Sequence, residues 1–392
     1  MKRVLFMVSS MNIGGVEKSL LSLLSVIPKE KYDVTVLMLE KRGGFLKQLP
    51  SWVKIEEVTW FENIKPKIMQ PPKKTIKEYF ENAKYIKGLN FLFTYVVSKN
   101  LKDRYVFYKE IFKDIPHNKN NYDIAIAYQG PTDIIDYYIV NRVTSEKKIS
   151  WIHFDVFQHL VNTKLYEKLY NQLDNIYVVS KEAQKHLIEK FPKVKSKTSV
   201  FLNIVLPDLI NEMAKEKVEF DNEYKGMKIV TVGRLSEEKG QDIAIKVLSM
   251  LRKEGYEVRW YCIGEGENRT YYETLICKYN LKKDFVLMGS TQNPYPYIHR
   301  SDIYVQTSRH EGYCLTLAEA KCLKKPIVTT NFTGANEQII DGYNGFVAEC
   351  NEESLYYKIK YLLDQQRVRE EITTNLLEEE FNNLEKVNRF LS

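Results

Sequence analysis

Cysteine is scarce in this sequence and confined to its second half. All five cysteines lie between positions 262 and 350, and no two of them form a Cys-x-x-Cys pair. Because a disulfide framework or a zinc site needs paired cysteines, this odd and uneven set argues against both and predicts a reduced, cytoplasmic protein. The chain also has no Asp-x-Asp motif, so we expect no metal site built from paired carboxylates.

Long apolar runs are missing as well. No stretch approaches the ~20 residues needed to cross a bilayer. The apolar start of the chain is short and leads into Gly14 and Gly15, so it is typical of a first buried strand and not of a signal peptide. Hydrophobic residues make up 44% and charged residues 28%, as in a globular protein, and 392 residues favour two domains.

Apolar, strand-like runs alternate with helical patterns along the whole chain. This alternation predicts an α/β protein with parallel sheets and crossover helices. Two stretches break the pattern: residues 61–120 are interpreted as an inserted helical element, and the polar residues 207–225 as a linker. Open parallel sheets bind ligands at the carboxyl ends of their strands, so we expect the functional residues there.

Two glutamates, Glu311 and Glu319, lie in a predicted strand–turn–helix segment. Gly312 follows the first glutamate, and an apolar helix start precedes the second. The first backbone N–H groups of such a helix are free to hold an anion, so one carboxylate would lie beside the anion and the other further along the helix. A nucleotide-sugar has matching parts, namely a diphosphate, a sugar and a ribose diol. The alternative is a surface glutamate followed by an ordinary helix glutamate.

Further motifs follow two predicted strands upstream. Arg234 and Lys239 come after the strand at 227–232, where two cations could neutralise a leaving diphosphate. Gly264, Glu265 and Gly266 come after the strand at 258–263, where glycines allow close backbone approach to a ligand. An ion pair between the two cations and the neighbouring Glu237 or Glu238 is the alternative for the first motif.

Taken together, these segments resemble the retaining glycosyltransferases of family 4, which have the GT-B architecture. The resemblance is nearly continuous over 227–350 and looser in the first half, where Gly14-Gly15 and Trp151-Ile152-His153 match. It implies two Rossmann-like, doubly wound parallel-sheet domains facing across a cleft. The expected division is an acceptor-binding domain over 1–205, a nucleotide-sugar-binding domain over 206–375 and a terminal helix over 376–392 that crosses back to the first domain.

The resemblance also implies roles for individual residues. Arg234 and Lys239 would stabilise the leaving diphosphate, and Glu311 would lie beside the donor sugar, contributing placement and charge and not nucleophilic attack. Glu319 would hold the ribose hydroxyls. The other expected donor contacts are Gly14, Gly15, Gly233, Gly264, Glu265, Gly312, Tyr313, Cys314 and Leu315. The spacing at Gly14 lacks Gly-x-Gly-x-x-Gly, which disfavours a dinucleotide-binding site, and a plain helix-entry turn is the alternative there.

In the first half, three residues follow predicted strands. His153 resembles a family histidine that faces the transferred sugar, and we count it with the catalytic set; a buried structural histidine is the alternative. Asp155, two positions on, and Thr132 are the predicted acceptor contacts.

The excess positive charge is concentrated in one segment. The chain has a net charge of +7, and residues 61–120 contain 13 Lys and Arg against 6 Asp and Glu, so the remaining residues are neutral overall. Eleven aromatic residues fall in the same segment. Interleaved cationic and aromatic side chains suit the surface of an anionic membrane, while a solvated helical insertion is the alternative. No nucleic-acid recognition motif accompanies the charge.

The leading hypothesis is a metal-independent, retaining hexosyltransferase without a cofactor. It would move a hexose or N-acetylhexosamine from a nucleotide-sugar, a UDP-sugar by preference, to a glycan or polyprenyl-linked acceptor. The setting would be capsule, exopolysaccharide, O-antigen or teichoic-type polymer synthesis at the inner face of the cell membrane. Two alternatives stay open: a non-catalytic GT-B partner of another transferase, and a transferase with a soluble acceptor. The oligomeric state is open too.

Overall fold

The computed structural model describes residues 1–158, 161–221 and 223–379, and its contacts divide the chain into two units. Among the described residues, the N-terminal unit comprises Met1–Val179 and Ala183–Phe201, and the C-terminal unit comprises Ser180–Glu182 and the chain from Leu202 to residue 379. The predicted helix over 376–392 lies mostly outside the described residues, so its crossing to the first domain stays a prediction.

The N-terminal unit contains a seven-stranded, all-parallel sheet with strand order β3-β2-β1-β4-β5-β6-β7. Its strands are β1 (Lys2–Val8), β2 (Tyr32–Met38), β3 (Lys54–Glu57), β4 (Asn121–Gly130), β5 (Thr144–Ile152), β6 (Asn175–Val178) and β7 (Thr198–Val200). Its helices are α1 (Gly15–Val26), α2 (Phe61–Met69), α3 (Pro72–Glu81), α4 (Tyr85–Leu101), α5 (Arg104–Ile111), α6 (Asp133–Arg142), α7 (Thr163–Asn171) and α8 (Lys181–Lys190). Short 3₁₀ turns occupy Leu46–Gln48 and Pro192–Lys197.

The C-terminal unit contains a six-stranded parallel sheet with strand order β10-β9-β8-β11-β12-β13. Its strands are β8 (Met227–Val232), β9 (Val258–Ile263), β10 (Phe285–Gly289), β11 (Ile303–Gln306), β12 (Ile327–Thr330) and β13 (Phe346–Ala348). Its helices are α9 (Pro207–Met213), α10 (Gln241–Lys253), α11 (Arg269–Lys278), α12 (Tyr295–His299), α13 (Leu315–Cys322), α14 (Ala335–Gln338), α15 (Glu352–Asp364) and α16 (Gln366–Leu377). A 3₁₀ turn occupies Glu237–Lys239.

Burial on both faces explains why the strands are almost uninterrupted apolar runs. The last five residues of β1 and of β2 and all of β11 and β12 are buried. Parallel strands covered by helices on both sides are expected to have this composition. The two predicted parallel sheets, and with them the α/β class, are confirmed.

The stretch predicted to be a linker is partly ordered and packed. Residues 207–213 form α9, and Phe220 is buried against the rings of Tyr261 and Tyr297. The prediction missed this because polar residues dominate the stretch, and one buried aromatic side chain is a weak signal in such a context. The inserted helical element at 61–120 is confirmed as four helices, α2 to α5.

In each unit the strand order reverses at one place. The connections from β1 and β4 leave in opposite directions along the first sheet, and those from β8 and β11 do so in the second. Such a reversal opens a crevice at the carboxyl ends of the two central strands, where ligands of open α/β sheets bind. The segments that follow β1, β4, β8 and β11 contain most of the predicted site residues.

Candidate active site

A lysine–glutamate pair lies at the strand-order reversal of the C-terminal unit. The Nζ of Lys239 is 2.6 Å from Oε1 of Glu311, and these side chains are only 20% and 11% exposed. Burial alone lowers the pKa of Lys239, but nearby negative charge, that of Glu311 above all, outweighs burial and raises the pKa above its usual value. The lysine is therefore a fixed cation held at the carboxyl edge of the sheet.

Close backbone packing puts Lys239 in that position. Gly240 ends the 3₁₀ turn with φ +66°, and a Cβ there would come within 2.1 Å of the carbonyl oxygen of Thr307. The Thr307 hydroxyl in turn donates to the carbonyl of Lys239 over 2.8 Å. Only glycine allows both this positive φ and such a close approach to the Thr307 carbonyl. The loops after β8 and β11 are therefore in direct backbone contact.

Arg309 is a positioning residue that sequence reasoning missed. Its guanidinium binds the Asp242 carboxylate through two hydrogen bonds of 2.9 and 2.7 Å and donates to the Glu237 carbonyl over 2.7 Å. A bidentate Arg–carboxylate pair is among the strongest polar contacts in proteins. It fastens the Glu311 loop to the turn that carries Lys239. No local signal could reveal a pairing across 67 positions.

A row of buried polar side chains fixes the Glu311 carboxylate. Tyr304 donates to Gln306 over 2.6 Å, Gln306 donates to Ser308 over 2.7 Å, and Ser308 donates to Oε1 of Glu311 over 2.7 Å. Because each group is constrained by the next, the carboxylate is preorganised by the strand that leads to it.

Helix α13 begins directly after this loop. Cys314 precedes it with φ +59°, so the chain turns sharply from Gly312 and Tyr313 into the helix that starts at Leu315. The first N–H groups of a helix have no acceptor within it and favour an anion. Burial raises the pKa of the Cys314 thiol, with the charge of Glu311 as a second cause, so this cysteine stays a neutral thiol.

Glu319 is in the same helix and is almost completely buried, at 2% exposure. The hydroxyl of Tyr295, in α12, donates to its Oε1 over 3.1 Å. A buried carboxylate is uncommon unless hydrogen bonds satisfy it. The interpretation of Glu319 as an ordinary solvated helix glutamate is therefore wrong.

Arg234 differs from Lys239 in its surroundings. Its side chain is 65% exposed, and Nη1 is 3.9 Å from Oε1 of Glu238. A contact of this length between exposed groups contributes little to stability. The side chain is thus free to reorient toward a ligand.

The glycines after β9 allow close backbone packing against the loop that follows β8. A Cβ on Gly264 would come within 2.0 Å of the Gly233 carbonyl oxygen, and one on Gly266 within 2.3 Å of the Leu235 carbonyl oxygen. Glu265 between them pairs with Arg269 at 2.5 Å and is 47% exposed. These contacts explain the glycines without a ligand, and the donor role predicted for Gly264 and Glu265 stays a prediction.

In the N-terminal unit, Gly14 and Gly15 form the start of α1. Gly14 is extended, with φ −160°, and a Cβ on Gly15 would have open space around it. Neither backbone conformation demands glycine. The Glu17 carboxyl group lies 2.5 Å from the position of a Gly14 Cβ, so a buried acidic side chain is present at this helix start. A phosphate would approach here only if this side chain moved.

His153 is buried at the end of β5, with 6% exposure. Burial lowers its pKa to about 3, although a hydrogen bond with the Tyr128 backbone opposes the shift. The ring is therefore neutral near pH 7. It packs against the rings of Tyr128 and Trp151, and its Nε2 has no hydrogen-bond partner among the described residues.

Asp155 and Thr132 have structural partners. Oδ2 of Asp155 is 2.8 Å from Nδ1 of His186, and its Oδ1 accepts the Phe157 backbone N–H over 2.9 Å. The Thr132 hydroxyl donates to the Gln129 carbonyl over 2.5 Å. Both residues lie at the carboxyl edge of their sheet, as predicted, and their role in binding an acceptor stays a prediction.

Within 1–158, 161–221 and 223–379, no group of three or more His, Cys, Asp or Glu is placed to hold a metal ion. In the same ranges, no helix is long and apolar enough to cross a membrane.

Comparison with known proteins identifies the C-terminal region. Residues 212–378 match the family model described as "Glycosyl transferases group 1". This region of the chain is therefore similar to the group 1 glycosyltransferases. It contains every C-terminal residue singled out above, from Gly233 to Glu319.

Curated relatives match over part of their length. An uncharacterised glycosyltransferase of Methanocaldococcus jannaschii is 27% identical over 255 residues, 61% of each protein. A 4-alpha-N-acetylgalactosaminyltransferase of Campylobacter jejuni, named for an N-acetylgalactosamine-N,N'-diacetylbacillosaminyl-diphospho-undecaprenol substrate, is 27% identical over 215 residues, 54% of this chain and 57% of the relative. The chain thus spans about three fifths of the length of these relatives.

The likeness in fold extends beyond the residues that the family model matches. The crystal structure of Anabaena Alr3699/HepE in complex with UDP and glucose aligns with 100% of this chain and 98% of its own, with a TM-score of 0.72 and 17% identity. The two Rossmann-like units predicted from the sequence therefore match a GT-B structure in fold. The predicted resemblance to group 1 glycosyltransferases is supported by the family match over residues 212–378. Family 4 membership and retention stay predictions, because this likeness in fold addresses neither.

The burial of His153 predicts an acid-dependent loss of stability. A pKa lowered from 6.5 to about 3 means that the folded state binds fewer protons than the unfolded state between these values, so stability falls as the pH drops through this window. Between pH 7 and pH 4 the loss from this residue amounts to about 3 kcal/mol. The free energy of unfolding, measured by urea titration at pH 7 and at pH 4, should therefore fall less between the two pH values in His153→Gln than in the wild type.

The difference between variant and wild type isolates this contribution. Asp136, whose pKa burial raises to about 6, acts in the opposite direction but equally in both proteins. The solvent-exposed His117 supplies the control, His117→Gln, which should leave the slope as in the wild type. Parallel slopes for wild type and His153→Gln would show that His153 is accessible to protons in the folded protein.

Proposed function

We propose that this protein is a retaining glycosyltransferase that moves a hexose or N-acetylhexosamine from a nucleotide-sugar, with UDP as the nucleotide. The observation that carries the proposal is the preorganised set at the β8/β11 reversal. Lys239 is held as a cation against Glu311, α13 begins beside that pair, and the buried Glu319 lies within the helix. A diphosphate, a sugar and a ribose are the ligand parts that suit these groups.

The chemical roles follow from charge. When the bond from the anomeric carbon to the diphosphate breaks, negative charge develops on the leaving phosphate and positive charge on the sugar. Lys239, the reorienting Arg234 and the start of α13 stabilise the phosphate. The Glu311 carboxylate stabilises the sugar side electrostatically. Its ion pair with Lys239 lowers its availability as a nucleophile and supports front-face substitution, in which the leaving phosphate takes the acceptor proton.

In the N-terminal unit, His153 is assigned to the transferred sugar. Its ring is neutral, and its Nε2, which has no partner in the described part of the chain, can accept a hydrogen bond from a sugar hydroxyl. The predicted role of Asp155 in binding the acceptor has less support, because its two carboxylate oxygens already contact His186 and the Phe157 amide.

The acceptor is proposed to be a glycan or a polyprenyl-linked saccharide in cell-surface polysaccharide synthesis. Support comes from the Campylobacter relative, whose name specifies an undecaprenol-linked substrate. The UDP donor is supported by the HepE structure, which contains UDP and glucose. We also propose that transfer needs no metal, because a fixed lysine and an arginine can together balance the charge of the diphosphate.

A panel of nucleotide-sugars tests the proposal. The purified protein is incubated with UDP-, GDP- and ADP-sugars and an extract of lipid-linked saccharides, and nucleotide release and product formation are measured with and without EDTA. We expect release from a UDP-sugar, formation of an α-linked product from an α-linked donor, and equal rates in EDTA. Loss of activity in EDTA with recovery on adding Mn²⁺ would refute metal independence. The absence of turnover with every donor, despite nucleotide binding, would favour a non-catalytic partner protein.

A further inference from the structure

The outward face of α4 is apolar. Ile86, Leu89, Phe93 and Val96 follow the i, i+3, i+7, i+10 spacing of one helix face, and they are 76%, 55%, 71% and 43% exposed. A surface helix normally presents charged and polar side chains to water. A contiguous apolar face of this kind marks an interaction site.

The exposed apolar face is additional to the face that packs on the protein, because the opposite face of α4 contacts α3 and α5. The Phe91 ring contacts Tyr79 of α3 at 6.1 Å and Phe107 of α5 at 5.6 Å, and Tyr95 contacts Phe107 at 6.1 Å. Gly88 lies against α3, where a Cβ would come within 3.0 Å of Phe80. The helix is thus fixed with its second apolar face toward solvent.

Packing also revises the expectation for the aromatic residues of this segment. Phe61, Phe91, Tyr108 and Phe112 are buried, so they hold α2 to α5 together and are not at the surface. Among the aromatic side chains of 61–120, the exposed ones are Phe80, Tyr85 and Phe93. The candidate surface is therefore a single helix face and not the whole segment.

The charges at the ends of α4 are positive. Lys84 and Lys87 lie at its start and Lys99 and Lys102 at its end, all exposed, and the helix contains no Asp or Glu. Lys87 contacts Asp114 at 3.6 Å, but both side chains are largely exposed, so this pair is weak. The uncharged residues 88–98 extend over about 16 Å, roughly half of the hydrocarbon thickness of a bilayer. A helix with these dimensions lies in a membrane interface and does not cross it.

We propose that α4 docks on an anionic lipid surface, with Ile86, Leu89 and Phe93 in the boundary of the acyl chains and its terminal lysines among the headgroups. Charge complementarity favours an anionic lipid surface over a second copy of this chain as the partner of α4. Two copies of this face placed together would bring their lysines close to one another and repel, whereas anionic headgroups attract them. The inference concerns a surface outside the candidate active site and does not rest on the proposed function.

Flotation of the full chain with lipid vesicles tests the docking. The wild type should float with vesicles that contain phosphatidylglycerol, and it should bind less at high salt and to pure phosphatidylcholine. Ile86→Glu combined with Phe93→Glu should weaken binding about ten-fold or more, since both side chains leave water only in the bound state. Because these side chains are exposed, the variant should keep the wild-type circular dichroism spectrum and melting temperature.

The control places the same changes on another exposed apolar pair. The control variant combines Ile340→Glu with Tyr357→Glu in the C-terminal unit, where these side chains are 61% and 60% exposed. This variant should float like the wild type. Equal loss in both variants, or no flotation of the wild type at low salt, would overturn the proposal. So would a wild-type dimer that Phe93→Glu converts to a monomer, since a second copy would then cover α4. UDP binding should be unchanged in the α4 variant, which separates this outcome from failure of the proposed function.

Discussion

Replacing Arg234 by alanine is expected to lower kcat/KM for sugar transfer by about 10²–10³-fold, the typical effect of removing one hydrogen-bond donor from a developing negative charge. The same change should alter the free energy of unfolding very little. The Arg234 side chain is 65% exposed, and its 3.9 Å contact with Glu238 is too long and too hydrated to contribute much. Steady-state kinetics with the preferred nucleotide-sugar, together with urea unfolding, measure both quantities.

The chain offers a closely matched control for this substitution. Arg367 is 89% exposed and pairs with a glutamate four positions later, Glu371, at 2.9 Å, the same spacing as Arg234 and Glu238. Arg367→Ala removes the same kind of charge from a helix surface and should leave kcat/KM unchanged. Wild-type turnover in Arg234→Ala would remove this residue from the mechanism. A raised KM with unchanged kcat would mean that Arg234 binds the ground state and the transition state equally strongly.

Lys239 is less suitable for such a test, although it is central to the site. Removing either member of a mostly buried ion pair leaves the other charge uncompensated, which typically destabilises a protein by about 3–5 kcal/mol. A loss of activity in Lys239→Ala would therefore mix chemistry with unfolding. The exposure of Arg234 and the burial of Lys239 decide which of the two cations gives an interpretable kinetic result.

Much of the fold could be predicted because its signals are local. Apolar runs such as 227–232 and 258–263 became β8 and β9 at the expected positions, since parallel strands covered on both faces are uniformly apolar. Some very short elements were not predicted. β13 has three residues and α12 has five, too few for a recognisable period.

The site could be predicted only in part, because its paired side chains are far apart in the sequence. The sequence indicated Lys239 and Glu311 but not their pairing over 72 positions, and it gave no hint of Arg309 with Asp242. The glycines illustrate the same point. Gly264 follows a strand as a ligand-binding glycine would, yet its Cβ position is filled by the Gly233 carbonyl, a neighbour set by sheet order.

Glu319→Gln is expected to weaken UDP binding by about 10- to 100-fold. A carboxylate can accept hydrogen bonds from both ribose hydroxyls, whereas an amide of the same shape offers one oxygen and an NH₂ group that faces a donor. The loss of one hydrogen bond to a charged group is typically worth about 1.5–3 kcal/mol, which corresponds to this range. Titration calorimetry measures the affinity directly, and the rise in melting temperature with UDP concentration measures it through linkage.

A second variant separates ribose binding from a structural role. Glu319 is buried and accepts the Tyr295 hydroxyl, so Tyr295→Phe removes this support while keeping the carboxylate. If the carboxylate binds ribose, Tyr295→Phe should lower the stability of the ligand-free protein by about 1 kcal/mol and affect UDP affinity less than Glu319→Gln does. If Glu319 only anchors α13 to α12, both variants should destabilise the ligand-free protein and bind UDP as tightly as the wild type. Because a buried carboxylate is stable only with hydrogen-bond donors around it, the comparison shows whether ribose hydroxyls are among those donors.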